Sequence, residues 1–204
     1  MTLLSNLQRW WIERSVDPSF HQLSDEALLQ AYQAQQSSGA LNVLINRHSD
    51  ALYHFLLTLS DASAAEDICQ HTWLKIIEHP SRYQFKTAQF RSWLFTTARN
   101  ALIDELRRKN RWQWSPLDDL EEHELNDWQE DMSFTVREDL QAAFNQALAD
   151  LPFAQKEALM LQLDGFSLTD IADITHEKPE TIKSRLRFAR QCLKSTLEVA
   201  HESQ

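Results

Sequence analysis

SLTDIADITHEKPETIKSRLRFARQCL, residues 167–193, decides the fold. Ser167 and Asp170 stand three apart at the head of a short periodic run, the spacing of a capping box with Asp in place of the usual Glu or Gln. That predicts a short helix running through Ile174, a turn, and a longer helix over 180–198. In the longer helix Ile182, Leu186, Ala189 and Leu193 fall on one face, and Lys183, Arg187, Arg190 and Lys194 on another. A short helix, a tight turn and a longer helix with one apolar and one cationic face is the arrangement that reading a DNA major groove requires. The apolar stripe anchors the second helix while its N-terminal half enters the groove. There Thr181 and Ser184 suit phosphate oxygens, and Lys183 and Arg187 suit base edges. The same pattern also fits a solvated basic face on an ordinary helical hairpin, since such faces are common on surfaces.

Outward from this stretch the chain is helical in pattern. Gly (2) and Pro (5) are scarce, apolar residues recur at three- and four-residue spacing, and no strand or hairpin signal stands out. The expected fold class is all-α: two small helical domains joined by an acidic linker, the second containing a helix-turn-helix. Helices are predicted over 23–36, capped by Ser24 with Gly39 beyond its end, then 41–59, then 64–78, opened by Asp61 or Ser63 and stopped at Pro80, then 88–110. Residues 115–139 carry ten Asp and Glu against the single cation Arg137, a self-repelling block that reads as a linker. Periodicity resumes near Glu138, with breaks at Leu151–Pro152, Asp164–Gly165 and around His176–Pro179. The domain reading is an N-terminal extension over 1–21 containing Trp10 and Trp11, a helical domain over 22–112, a linker over 113–139 and a second domain over 140–200.

The net charge is −10, yet most of the cations sit in two short stretches, 82–111 and 178–194. Clustering of that kind in an acidic protein points to a polyanion met at two places. The first stretch differs in kind from the second. On its helix Phe95, Ala98, Leu102 and Leu106 form the core stripe, while Trp93, Thr96, Asn100, Arg107 and Arg111 share another face, after the polar-aromatic segment Tyr83-Gln84-Phe85-Lys86-Thr87. Aromatic rings beside Arg and Asn suit unstacked bases, because a flat ring stacks on a base while cations follow its backbone. The rival placement puts Trp93, Phe85 and Phe90 in the core, which explains the accompanying cations poorly. On the preceding helix Ala65, Ile68, Cys69, Thr72 and Ile76 form the apolar face, whereas Leu74 is centred among Asp67, Gln70, His71 and Glu78. It is either a lone exposed leucine or the anchor of a protein interface.

Cys69 and Cys192 lie far apart on apolar faces and read as reduced core thiols, not as a disulfide or a metal pair. No Gly-rich phosphate loop, Cys/His metal spacing or nucleophile–base constellation is visible, so neither an enzyme nor a cofactor is expected. No segment approaches membrane-spanning length and residues 1–15 have no secretory pattern, so membrane insertion is not expected and a cytoplasmic location is.

Three segments, AAEDICQHTWLKII (64–77), FRSWLFTTARNALIDELRRKNR (90–111) and LADLPFAQKEALMLQLDGFSLTDIADITHEKPETIKSRLRFARQCL (148–193), together resemble bacterial RNA polymerase sigma factors of the sigma-70 family, extracytoplasmic-function group. The resemblance spans about 23–197. It implies a factor without catalysis of its own that binds RNA polymerase core through the largest-subunit clamp and the flap, directs it to promoters and promotes DNA melting. By the family pattern Asp67, Gln70 and Leu74 would dock on the clamp. The segment 83–111, with Tyr83, Phe85, Lys86, Trp93, Asn100, Arg107, Arg108 and Arg111, would capture the melted minus-ten element as single strand. Thr181, Lys183, Ser184, Arg185, Arg187 and Arg190 would read the minus-thirty-five element as duplex. The acidic linker would thread toward the active-site and RNA-exit channel, against the alternative of a solvated spacer. Such factors are commonly held by an anti-sigma partner, often at the membrane, although no residue here identifies one.

Two departures concern duplex reading. Where the group usually has an apolar residue, Gly and another apolar residue entering the turn, this chain has Thr175, His176 and Glu177. His tolerates a left-handed backbone better than most non-Gly residues, so the turn survives at some energetic cost. The order Arg187–Phe188 also reverses the commoner placing of a large residue before Arg. The alternative function is a helix-turn-helix regulator that acts without polymerase, which predicts tight duplex binding alone, usually as a dimer on two half-sites. The sigma resemblance predicts weak binding alone, because the acidic charge opposes DNA until core is bound.

Overall fold

A computed structural model describes residues 18–83, 89–109 and 138–202. Among them are eight α-helices, two short 3-10 helices at Pro18–Gln22 and Pro80–Arg82, and no strand. Helix α1 (Asp25–Gln35) begins where the Ser24 hydroxyl accepts from the Ala27 N–H at 3.2 Å. It ends at Gln36, which takes the left-handed conformation (φ 51°). The terminator is therefore Gln36 and not Gly39. Helix α2 (Ser38–Leu59) starts three residues earlier than the pattern suggested, capped by Ser37, and Gly39 lies in its first turn. There the glycine has a packing reason: a Cβ would stand 3.1 Å from the ring of Phe20. Residues 18–22 thus belong to the folded body, while Trp10 and Trp11 lie outside the described residues.

Helix α3 (Ala62–Glu78) is opened by Asp61, whose carboxylate accepts from the Ala64 N–H at 2.9 Å, and it stops at His79 before Pro80. Helix α4 (Phe90–Arg108) has no cap from its own N-cap residue. Instead Glu26 of α1 accepts from the Phe90 N–H at 3.1 Å, so a carboxylate 64 residues away satisfies one of the otherwise unpaired first-turn donors. These four helices enclose Leu28, Leu41, Leu44, Phe55, Ile76, Phe90, Leu94, Phe95 and Leu102, all fully buried. Removing one such ring, for example Phe95→Ala, costs about 3–5 kcal/mol in cores of this kind.

The second unit comprises α5 (Glu138–Asp150), α6 (Phe153–Leu163), α7 (Leu168–Thr175) and α8 (Pro179–Glu202). The expected capping box forms in full: Ser167 Oγ accepts from the Asp170 N–H at 3.2 Å, and Asp170 accepts from the Ser167 N–H at 3.0 Å. Helix α7 then ends at His176 with φ 58°, the left-handed turn anticipated there. Ile182, Leu186, Ala189 and Leu193 of α8 are all buried against it and its neighbours. Helix α5 begins at Glu138, so the last two residues of the predicted linker are helical. Residues 110–137, the rest of the acidic block, lie outside the described residues.

The two units are in contact. Phe95 of α4 meets Phe166, in the turn before α7, edge to face at 4.9 Å, and the apolar cores are continuous through that pair. Among the described residues no helix is long and apolar enough to cross a membrane, and no cluster of three metal-ligating side chains occurs.

Candidate nucleic-acid and polymerase interfaces

Helix α8 presents its cations as its periodicity requires. With the apolar stripe turned inward, Lys183, Arg187, Arg190 and Lys194 are exposed. Lys183 sits 2.9 Å from Glu180 one turn back, and Arg190 donates to the Gln162 side chain of α6 at 2.7 Å. Exposed pairs of this kind contribute only about 0–1 kcal/mol, so a phosphate can replace the partner at little cost. Thr181 and Ser184 are half-buried at the same end. Arg185 is a correction. Its side chain is only 9% exposed and pairs with Glu177 in the turn at 2.7 Å, so it faces inward and braces the turn; it is not presented to a groove.

On α4 the outer face is graded. Asn100, Arg107 and Arg108 are exposed, while Trp93 and Thr96 are half-buried. Arg107 lies 3.9 Å from Asp104 and Arg108 is paired with Glu105, both within the helix and open to water. Thr96 spends its hydroxyl on the Ser92 carbonyl at 2.8 Å. Tyr83 is the second correction: it is 3% exposed, with its ring edge-on to Phe90 at 5.9 Å and to Trp93 at 5.4 Å. Burial, with Glu26 and Asp25 nearby, pushes its phenol pKa up. Tyr83 thus packs edge-on against the Trp93 ring, and Trp93 is the partly open aromatic of the pair. Phe85, Lys86 and Arg111 lie outside the described residues.

Helix α3 buries Ala65, Ile68, Cys69, Thr72 and Ile76, as its pattern predicts. On its opposite side Leu74 is 49% exposed, Asp67 is exposed and Gln70 is half-buried. The Gln70 amide nitrogen is shielded from water, and among the described residues it finds no hydrogen-bond partner. Of the two, only the Leu74 side chain is open to solvent, an apolar group centred on a polar side of the helix. Cys69 is held protonated, its pKa pushed up to about 12 by burial and by Asp50, and burial also raises that of Cys192. Neither thiol is a nucleophile at neutral pH.

One group of residues was missed in the sequence. Arg99 of α4 is buried and donates through Nε and Nη2 to both oxygens of Glu157 on α6, at 2.7 and 3.2 Å. Burial pushes the Glu157 carboxyl pKa upward, against the pull of Arg99 and Arg185. Beside this pair the Arg91 guanidinium lies 4.3 Å over the Phe166 ring and donates to the Asp164 carbonyl. A signal was present: Arg99 follows Phe95 by four and precedes Leu102 by three, inside the core stripe, and a cation there needs a buried anion. Its partner is 58 residues away, beyond the reach of local pattern.

Taken together the geometry defines a class: an all-helical DNA-binding protein with a helix-turn-helix in one unit and a mixed aromatic and cationic helix in the other. The model for Sigma-70 region 2 matches residues 44–112, and that for Sigma-70 region 4 matches 141–193. The chain is 31% identical over 172 residues to the ECF RNA polymerase sigma factor SigC of Mycobacterium tuberculosis, covering 83% of this chain and 90% of that relative. It is 30% identical to SigL of the same species, covering 81% and 93%. Among solved structures, the sigma factor RpoE in complex with the anti-sigma factor NepR from Bartonella quintana superimposes with a TM-score of 0.57 at 30% identity, over 76% of this chain and 95% of that one. The chain belongs to the sigma-70 family of RNA polymerase sigma factors, in the extracytoplasmic-function group. Its function is that of the family: it binds core polymerase and directs it to promoters.

Proposed function

We propose that this sigma factor divides promoter recognition between the exposed faces of α4 and α8 and docks on core through α3. Trp93, Asn100, Arg107 and Arg108, together with Phe85, Lys86 and Arg111, take the minus-ten element as unpaired strand. Lys183, Arg187 and Arg190, with Thr181 and Ser184 on phosphates, take the minus-thirty-five element as duplex. Asp67, Gln70 and Leu74 meet the largest-subunit clamp, and the second unit meets the flap. Tyr83 and Arg185 serve by positioning Trp93 and the turn. The observation that carries this reading is that cations cluster, exposed and weakly paired, on two helices of an acidic chain.

Melting needs no nucleotide hydrolysis in this scheme. Unpairing costs a few kcal/mol, and stacking of a flipped base on an aromatic ring returns about 1–3 kcal/mol per base. The protein has no catalytic role of its own and works in the cytoplasm, where core polymerase and promoter DNA are found. The Bartonella relative is complexed with an anti-sigma factor, and an anti-sigma partner is proposed here by that likeness. The linker of residues 113–137 is proposed to follow the RNA channel of the polymerase. Transcription in vitro, with purified core and this protein as sole initiation factor, tests the reading. Transcripts from discrete start sites are expected; random initiation at the level of core alone overturns it.

A further inference from the structure

The first turn of α4 sets where Trp93 stands, because Trp93 is the fourth residue of that helix. A first turn is the part of a helix that frays, since its N–H groups have no partner within the helix. Gln89, the residue before α4, offers no side-chain cap. The Phe90 N–H donates instead to Glu26 Oε1 of α1 at 3.1 Å, and the Trp93 N–H closes the turn on the Gln89 carbonyl at 3.1 Å.

Glu26 is itself held in place. It follows Asp25, which α2 grips through Arg47 at 2.8 Å and His48 at 2.6 Å, and the His48 ring packs on Phe90 at 5.7 Å. From the same helix Gln33 donates to the Pro80 carbonyl at 2.6 Å, and Tyr32 to the Ile77 carbonyl at 3.3 Å. Helix α1 therefore ties down both the exit from α3 and the entry to α4. Beside these anchors Tyr83, Phe90 and Trp93 form a three-ring cluster, with centroids 5.9, 5.4 and 6.1 Å apart. Glu26 is near enough to that cluster for its charge to act, after burial itself, on the Tyr83 phenol. Yet α1 contains no Lys or Arg, and nothing on it suits contact with a polyanion.

We propose that Glu26 is a positioning residue for minus-ten capture: by capping α4 it holds Trp93 in the orientation in which an unpaired base stacks on the ring. This rests on the assignment of Trp93 to the minus-ten strand. A stacking platform returns its full energy only when the ring does not have to be ordered at the moment of capture. Phe90 and Tyr83 restrain the Trp93 ring, but Phe90 is the capped residue, so the cluster keeps its shape only while the first turn keeps its own. A carboxylate suits the position in two ways: it accepts the N–H, and its charge meets the positive end of α4. Gln supplies the first without the second, whereas Ala supplies neither.

The test uses the full-length protein, E26Q, E26A, W93A and E26A/W93A, each with core polymerase at saturation. Stopped-flow fluorescence of 2-aminopurine in the non-template strand of the minus-ten element reads base capture, and anisotropy of labelled protein reads core affinity. E26A is expected to slow capture about five-fold, the factor that one lost cap carries. E26Q should stay within about two-fold of the original, since it keeps the hydrogen bond and loses only the interaction with the helix dipole. Core affinity should be equal throughout. E26A/W93A should be no slower than W93A, because a positioning residue has nothing to place once the ring is gone. If E26A does not fold, E26D, one methylene shorter, takes its place in both backgrounds.

Three results overturn the role of Glu26 while leaving Trp93 at the minus-ten strand: capture by E26A as fast as the original, E26Q as slow as E26A, or a slowing by E26A that persists without Trp93. A fall in core affinity that matches the loss of capture makes Glu26 a residue of the fold alone and overturns the role as well. Should W93A capture the base as fast as the original, the minus-ten assignment of Trp93 fails first, and the role of Glu26 falls with it.

Discussion

Arg185 closes onto Glu177 at 2.7 Å, pinning the first turns of α8 to the loop that follows α7. A cation in the middle of a basic helix thus serves the fold, while its neighbours Lys183 and Arg187 face outward. R185A is expected to destabilise the protein by about 1.5–3 kcal/mol, the usual worth of a charge-assisted hydrogen bond. K183A and R187A should change stability by no more than about 0.5 kcal/mol. Their effect should appear instead as weaker binding of holoenzyme to duplex carrying the upstream element, with a shallower salt dependence. Thermal melts alongside fluorescence anisotropy separate the two; a shift of melting temperature with K183A comparable to that with R185A would contradict this division.

Arg107 and Arg108 lie at the other cationic face, each with an acid on its own helix and each mostly in water. Replacing both by Ala should leave the fold intact, since such pairs contribute about 0.2–1 kcal/mol. Open-complex formation should weaken, and its dependence on log salt should flatten by about 0.7 for each single-strand phosphate that is no longer neutralised. Core binding should not change. Equal losses in open-complex and core-binding assays count against assigning these residues to the minus-ten strand.

Leu74 stands 49% exposed on α3, outside the buried core of the described residues. L74E therefore keeps the melting temperature, yet if this leucine anchors the clamp it should cost at least about 2 kcal/mol in core affinity, a Kd some thirty-fold higher. Titration of labelled protein with core measures it. An unchanged Kd returns Leu74 to the ordinary class of exposed leucines.

The helices, most of their caps and the helix-turn-helix were legible because each is encoded locally. Ser24, Asp61, Ser167 and Asp170 act within three residues of themselves. The inward stripe of α8 follows from spacing alone. What escaped was long-range. Nothing in the neighbourhood of Phe90 announces that Glu26 will cap its helix, and nothing near Arg99 names Glu157. Tyr83 and Arg185 were misjudged for the same reason: composition puts an aromatic and a cation in a basic stretch, but only packing decides which of them face water. Gly39 misled differently, because a residue that so often ends helices is used here for close approach to Phe20.

His176 holds φ 58° without the glycine that such a turn favours. For a non-Gly residue the left-handed region costs about 1–2 kcal/mol, somewhat less for His, while Gly gives back part of the gain as unfolded-state entropy. H176G should stabilise the protein by about 0.5–1 kcal/mol and H176A should not. Denaturant midpoints compare them directly; a destabilising H176G means that the imidazole makes a contribution the backbone argument leaves out.

Asp25 opens α1 and receives Arg47 at 2.8 Å and His48 at 2.6 Å from α2. Partial burial alone would raise its pKa, but the hydrogen bonds and charges of His48 and Arg47 outweigh that, and it lies below the usual 3.8. The folded state therefore favours the carboxylate. Its contribution to stability is fully present above the unfolded pKa and is lost as pH falls through the lower, folded one. D25N should be less stable than the original at pH 7, and the gap should narrow only as pH drops below about 4. Urea titrations of both proteins from about pH 7 to about pH 3 measure the gap; one that stayed constant across that range would mean Asp25 acts as a neutral hydrogen-bond acceptor and not as a charge.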